Sequence, residues 1–270
     1  MRITDWDDAY SNRAHVPEAE AILARWKTES AAYRGAAGAR LTADLAYGPR
    51  PRNRLDLFQP QGAPRGVVVS VHGGYWRMLD KSVWSVFAAG ALDAGWAVAV
   101  PNYTLAPALG LPGIAAEIAM AVETAAAAVA GEVRLVGHSA GGHLVTRVMC
   151  RDSPLSPAVQ ARVAHTVSIS GVHDLRPLLA TEMAGDLRLD SLTAAAESPA
   201  LLLPAPGVRA TVWVGGAERP EFVRQSTLLA NVWTGLGADM AQEKVPERHH
   251  FDIVDGLKDA DSPLMAALLG

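Results

Sequence analysis

The sequence contains a single cysteine, Cys150, in 270 residues, which excludes an intramolecular disulfide. It has no run of lysine or arginine, and its formal net charge is −4. Nothing in the charge pattern therefore favours nucleic acid or an anionic membrane as a partner. The N-terminal stretch MRITDWDDAY is polar and acidic, without the charged-then-apolar pattern of a secretory signal. We therefore expect a cytoplasmic protein.

Long purely apolar runs are also missing. The most apolar stretch, residues 114–130, is rich in alanine and contains Glu117 and Glu123, so it predicts a core helix rather than a membrane span. Half of the residues are apolar and 19% are charged, which is enough to bury a large core. We expect residues 1–270 to form one domain.

Short β-branched runs alternate with stretches of helical spacing. The predicted strands are 41–47, 54–58, 66–71, 96–100, 132–136, 163–170, 208–214 and 238–245, and the predicted helices are 16–33, 81–94, 114–129, 142–149 and 220–235. This alternation predicts an α/β fold with a mostly parallel sheet flanked by helices. Residues 175–206 interrupt it, and they form either a cap or lid insertion or an ordinary pair of surface helices.

The sequence GHSAG, with Ser139 at its centre, follows a predicted strand and precedes a predicted helix. This is the context of a nucleophile turn, in which a strained strand-to-helix connection exposes the serine hydroxyl. The flanking glycines leave room for neighbouring backbone to pass. Ser139 is therefore the candidate nucleophile.

A second glycine-rich loop, HGGYW, follows the strand at residues 66–71. Backbone N–H groups pointing at a developing negative charge stabilise a tetrahedral intermediate. The predicted donors are the N–H groups of Gly73 and Gly74, together with that of Ala140. His72 is expected to hold this loop by hydrogen bonding.

A serine nucleophile needs a base, and the base needs an orienting acid. The loop after the last predicted strand contains two adjacent histidines, and we choose His250, with His249 as the alternate. The preferred acid is Glu218, with Asp174 and Glu221 as the alternatives. The order serine, acid, histidine is that of α/β-hydrolases. No metal-binding spacing is present.

Together, HGGYW, GHSAGGHL, the GGAERPEFVRQS stretch and HHFDIV resemble kynurenine formamidases (arylformamidases), which are α/β-hydrolases near the hormone-sensitive-lipase group of esterases. The resemblance also covers the N-terminal segment and YGPRPRNRLDLFQP. It places the nucleophile on Ser139 and the histidine on His250. The family usually has aspartate where this chain has Glu218.

The resemblance implies hydrolysis of N-formyl-kynurenine to kynurenine and formate, with a small-molecule substrate and no cofactor. A small-acyl carboxylesterase and a non-catalytic binding protein of the same fold are the competing functions. Tyr75 and Trp76, with Trp84, could form an aromatic wall for an aryl substrate, or they could simply pack in the core. The sequence leaves a homodimer open.

Overall fold

The protein is described from a computed structural model that covers residues 3–270. Its centre is an eight-stranded sheet. The strands are β1 Leu41–Ala46, β2 Arg54–Phe58, β3 Gly66–Val71, β4 Ala97–Pro101, β5 Glu132–His138, β6 Val163–Ile169, β7 Arg209–Gly215 and β8 Asp239–Val245. Their order across the sheet is β1-β2-β4-β3-β5-β6-β7-β8.

The sheet is parallel from β4 to β8, and only β2 runs against its neighbours. The inner strand β3 is buried along its whole length, whereas the edge strand β8 is largely exposed. A continuous run of valines therefore suits the centre of the sheet, where both faces are covered by helices. This architecture is the mostly parallel α/β-hydrolase sheet that the sequence predicts.

Helices pack on both faces of the sheet. They are α1 Trp6–Tyr10, α2 Ala19–Ala37, α3 Lys81–Trp84, α4 Ala89–Asp93, α5 Leu111–Ala128, α6 Ala140–Arg147, α7 Pro157–Gln160, α8 Met183–Leu187, α9 Ser191–Ala196, α10 Pro220–Gly235 and α11 Pro263–Leu269. Short 3₁₀ turns cover Arg13–His15, Gly38–Arg40, Ser85–Ala88, Arg176–Ala180, Pro199–Leu201 and Asp255–Lys258.

The helix α5 is long and apolar enough to suit a membrane span by length and composition, but 56% of its residues are buried inside the protein. Its buried side includes Ile114, Ile118 and Val122, which belong to the main core. The burial is that of a core helix packed on a sheet, as the sequence predicts.

Several predicted helices differ from the observed ones, and among them α5 begins at Leu111 rather than at residue 114 and α6 covers Ala140–Arg147 rather than residues 142–149. Helix α2 begins at Ala19 rather than at residue 16, because Val16 precedes a proline and is held in extended backbone. The single helix predicted for residues 81–94 is wrong, since a 3₁₀ turn separates α3 from α4. The hydroxyl of Ser85 donates to the carbonyl oxygen of Lys81 at that point, a bond of the type that bends helices.

Residues 175–206 connect β6 to β7 and contain α8 and α9. Both ends of this segment are fixed, because Ser198 Oγ accepts from the Leu175 N–H at 2.8 Å and the Trp233 indole donates to the Pro199 carbonyl oxygen at 2.9 Å. Its side chains Met183 and Leu187 are buried in the main core. The segment thus forms part of the packed body, and the Glu182 N–H before α8 donates to Asp7 of α1.

Parallel strands end at the same edge of the sheet, and the candidate site residues follow those ends. The HGGYW loop follows β3, Ser139 follows β5, Glu218 follows β7 and His250 follows β8. The topology therefore brings together groups that are far apart in the sequence.

Candidate active site

Ser139 lies in a strained turn between β5 and α6. Its backbone has φ 55° and ψ −115°, a conformation that non-glycine residues rarely adopt. A Cβ at Gly137 would overlap the carbonyl of Gly141, and a Cβ at Gly141 would overlap the carbonyl of Val71 on β3. The glycines of GHSAG are thus required by close backbone approach, as the motif predicts.

Glu218 lies directly beside His250. The Nδ1 atom of His250 donates to Oε2 of Glu218 at 2.7 Å, and the Glu218 side chain is fully buried. The other carboxylate oxygen, Oε1, accepts from the N–H of Gly215 at 2.8 Å and from the hydroxyl of Ser170. Both carboxylate oxygens are therefore occupied, and Nε2 of His250 has no partner within residues 3–270. The carboxylate fixes the ring so that Nε2 is available as a proton acceptor.

The alternative site residues point elsewhere. Asp174 forms an ion pair with Arg176 at 2.9 Å. Glu221 accepts from the hydroxyl of Tyr10 at 2.8 Å and from Arg224. The ring of His249 accepts from backbone N–H groups of its own loop. In the described chain none of these three is hydrogen-bonded to His250.

Ser139 and His250 line the same cavity. Its volume is about 50 Å³, and Gly74 and Tyr75 also line it. The Ser139 hydroxyl makes no hydrogen bond in the part of the chain that the structure describes, so it is free towards this cavity. In enzymes without substrate the bond between nucleophile and base is often long and tightens only in the reacting complex.

The HGGYW loop lies against the nucleophile turn. A Cβ at Gly73 would come within 2.9 Å of the His138 carbonyl oxygen and 3.2 Å of Ser139 Cβ. Gly74 has φ +110°, and a side chain there would overlap the backbone of Met78. The N–H groups of Gly73, Gly74 and Ala140 donate no hydrogen bond within residues 3–270. The predicted donors are thus unpaired and next to Ser139.

His72 has the loop-holding contacts expected of it. Its Nδ1 donates to the Gly73 carbonyl oxygen at 2.7 Å, and its ring stacks on Tyr103 with centroids 4.6 Å apart. Burial lowers the pKa of His72 to about 4, so the ring is neutral at pH 7. Its contacts hold the loop and do not reach Ser139.

The expectation that Trp76 contacts substrate is wrong. Only 1% of its surface is exposed, its Nε1–H donates to Nδ1 of His143 at 3.1 Å, and it packs in the main core. Trp84 is equally buried and stacks on His138. Tyr75 does line the cavity, and its hydroxyl donates to the Tyr10 carbonyl oxygen at 2.9 Å. An aromatic side chain after a Gly-Gly loop can point either into the site or into the core, and the side chain of Trp76 points into the core.

Sequence reasoning missed the N-terminal wall of the cavity. Arg13, Leu23 and Trp26 line it together with Ser139 and His250. Helical spacing places Leu23 and Trp26 on one face of α2, but nothing in the spacing says that this face covers a site formed by distant loops.

His138 was also missed as part of the site. Its Nε2–H donates to the His250 carbonyl oxygen at 2.9 Å, and the two rings lie 4.5 Å apart. Burial, together with the neighbouring His250, lowers the pKa of His138 well below its usual value. A neutral His138 therefore connects the nucleophile turn to the histidine loop.

Four buried histidines make the fold sensitive to acid. Burial lowers the pKa of His72 and His143 to about 4 and that of His173 to about 3, and it also lowers that of His138. Because these folded-state values lie below the unfolded value of 6.5, stability is complete above pH 6.5 and falls as the pH drops below it. His72, His143 and His173 each cost about 2 kcal/mol of stability at pH 5. We expect urea unfolding to give a much smaller unfolding free energy at pH 5 than at pH 7.

His173→Gln provides the control for this acid sensitivity. The variant removes one buried histidine, so its loss of stability between pH 7 and pH 5 should be smaller by about 2 kcal/mol, whatever its stability at pH 7. Equal unfolding free energies of the unmodified protein at pH 7 and pH 5 would contradict the explanation that the buried histidines cause the acid sensitivity.

The comparisons with solved structures agree with this fold. A Silicibacter protein provisionally assigned as a thioesterase superposes with a TM-score of 0.95 and 42% sequence identity, covering 98% of this chain and 99% of that one. An esterase from Pyrobaculum calidifontis has a TM-score of 0.72 at 19% identity, covering 95% of this chain and 94% of that one. With the site geometry, these matches define the class of protein as an α/β-hydrolase, a hydrolytic enzyme.

Sequence comparison gives the family. The profile of the BD-FAE family matches residues 55–199, more than half of the chain, and the chain belongs to this family. Among curated proteins, kynurenine formamidase of Danio rerio is 28% identical over 236 residues, covering 84% of this chain and 80% of the relative. Kynurenine formamidase of Salmo salar is 29% identical over 238 residues with the same coverage.

Proposed function

We propose that this hydrolase cleaves aryl formamides, with N-formyl-kynurenine as the substrate and kynurenine and formate as the products. The observation that carries the proposal is the size of the cavity at Ser139, about 50 Å³. Pockets that enclose drug-sized ligands measure roughly 300–1,000 Å³. A cavity this small suits an acyl group of very few atoms, and formyl is the smallest. The curated kynurenine formamidases among its relatives support the same substrate.

The proposed reaction begins with proton transfer from Ser139 Oγ to Nε2 of His250. The oxygen then attacks the formyl carbon, and the C=O electron pair moves to the carbonyl oxygen. Glu218 stabilises the imidazolium that forms, through its 2.7 Å bond to Nδ1. The unpaired N–H groups of Gly73, Gly74 and Ala140 supply donors for the oxyanion.

Collapse of this tetrahedral intermediate breaks the C–N bond. His250 gives its proton to the leaving aryl nitrogen, so that a neutral amine departs and a formyl ester remains on Ser139. Water then attacks this ester with His250 again as the base, which releases formate and restores the serine hydroxyl. No cofactor takes part in the proposed cycle.

A second candidate is the hydrolysis of a small-acyl ester or thioester. The relative that favours it is the Silicibacter protein, which is 42% identical and provisionally assigned as a thioesterase. The same small cavity would restrict this activity to short acyl groups. The two candidates differ in the leaving group and share the proposed chemistry at Ser139.

Substrate comparison separates the candidates. We expect kcat/KM for N-formyl-kynurenine to exceed that for p-nitrophenyl acetate and S-acetyl thioesters, and p-nitrophenyl octanoate to react far more slowly than the acetate. The chain-length series tests the small acyl site, and the formamide tests the leaving group. A negligible rate on the formamide with rapid ester or thioester cleavage would refute the formamidase proposal and support the second candidate.

A further inference from the structure

The cavity at Ser139 is the inner one of two neighbouring cavities. The outer cavity has a volume of about 280 Å³. Both are lined by Arg13, Tyr75 and Met78, so these three residues form the boundary between them. A substrate with its acyl group at Ser139 would extend its leaving group past Tyr75 and Met78 into the outer cavity. An aromatic ring and a thioether are suitable neighbours for an aryl group at that boundary.

Arg77 brings a positive charge to the outer cavity. Its backbone N–H donates to the Gly74 carbonyl oxygen at 3.0 Å, which fixes it to the loop of predicted oxyanion donors. Its Nη1 donates to Asp186 at 2.6 Å, but its Nε–H is buried without a partner in the described chain. The remaining nitrogen, Nη2, donates no hydrogen bond in the described chain and is not buried, so a ligand carboxylate could accept a charge-assisted hydrogen bond from it.

Asp7 brings a negative charge to the same cavity. One of its carboxylate oxygens accepts from the Glu182 N–H at 2.9 Å, and the other accepts no hydrogen bond within residues 3–270. Arg13, the other cation of this cavity, is already held by both carboxylate oxygens of Glu20. Arg77 and Asp7 thus give the outer cavity a cation and an anion with unused hydrogen-bonding capacity.

We propose that the outer cavity binds the leaving group through an α-amino-acid head group, with its carboxylate on Arg77 and its ammonium on Asp7. The proposal rests on the proposed function for the identity of the aryl leaving group. It makes Arg77 and Asp7 specificity-determining residues of the chain. It also explains how an enzyme with a very small acyl site distinguishes its substrate from other formamides.

Competitive inhibition tests the head-group site without requiring formamide cleavage. Hydrolysis of p-nitrophenyl acetate is the reporter, and the inhibitors are kynurenine and kynuramine, which lacks the carboxylate. We expect kynurenine to have a Ki about tenfold lower than that of kynuramine, as for a hydrogen-bonded charge pair. Arg77→Gln should remove this preference, Arg77→Lys should keep part of it, and Asp7→Asn should weaken both inhibitors.

The matched control is Arg209→Gln. Arg209 also pairs with one aspartate, Asp239, at 3.0 Å, but it lies at the start of β7, on the opposite edge of the sheet. Arg209→Gln should leave the preference for kynurenine over kynuramine unchanged. Hydrolysis of p-nitrophenyl acetate by each variant shows that the variant is folded. Equal Ki values for kynurenine and kynuramine in the unmodified protein, or a preference that survives in Arg77→Gln, would overturn the proposal.

The outcomes separate this proposal from the proposed function. Selective kynurenine inhibition without cleavage of N-formyl-kynurenine would support the head-group site and refute the formamidase activity. Rapid cleavage of N-formyl-kynurenine without a kynurenine preference would support the activity and refute the site.

Discussion

Ser139→Ala should reduce kcat by about 10⁴- to 10⁶-fold on the formamide and on p-nitrophenyl acetate alike. The variant removes the only proposed nucleophile and leaves the N–H donors in place. What remains is the catalysis that binding and oxyanion stabilisation provide alone. Because the acyl-enzyme step is common to both substrates, the loss should not depend on the leaving group.

Labelling with a fluorophosphonate checks this assignment independently of turnover. The reagent should modify the unmodified protein once, at Ser139, and should not modify Ser139→Ala. Ser82→Ala is the matched control, since Ser82 is an exposed serine on α3 and should retain both labelling and activity. Labelling that persists in Ser139→Ala would exclude Ser139 as the nucleophile and would show that a different residue is activated.

Glu218→Gln should reduce kcat by about 10³- to 10⁴-fold with little change in KM. The reason lies in the two donors at Oε1. The Gly215 N–H and the Ser170 hydroxyl both point at that atom, so a glutamine must place its carbonyl oxygen there and its NH₂ group against His250. Nδ1 of His250 then has to accept a hydrogen bond, and the proton moves to Nε2. The ring is held in the tautomer that cannot take a proton from Ser139.

The controls for Glu218→Gln are Asp174→Asn and Glu221→Gln, the other carboxylates near this edge of the sheet. Their hydrogen bonds go to Arg176, Tyr10 and Arg224. We expect each to change kcat less than tenfold, in keeping with loss of an ordinary local hydrogen bond. Glu218→Gln with full activity, or a larger loss in either control, would show that a different carboxylate orients the histidine.

The central fold could be predicted because its signals are local. The valine run of β3 and the compact strand before GHSAG are each short, buried and bounded by turns. The pairing of Glu218 with His250 could also be predicted, because both residues follow parallel strands that end at one edge of the sheet.

Other parts of the site depend on contacts between distant segments. Trp26 lies more than one hundred residues from Ser139 in the sequence, yet it lines the same cavity. Ser170 supports Glu218 from the end of β6, and no motif marks it. The side chain of Trp76 points into the core, where it donates a hydrogen bond to His143, and only the packed structure shows this contact. Periodicity identifies a buried face but not the element that covers it.

The bond from His138 to the His250 carbonyl oxygen has a consequence for the energetics of the reaction. It joins the turn that holds Ser139 to the loop that holds His250, without using any atom proposed to take part in the chemistry. The relative orientation of nucleophile and base is therefore fixed when the chain folds, and the loss of conformational entropy occurs then. Substrate binding need not order these two groups again, so more of its favourable free energy remains for reaching the transition state.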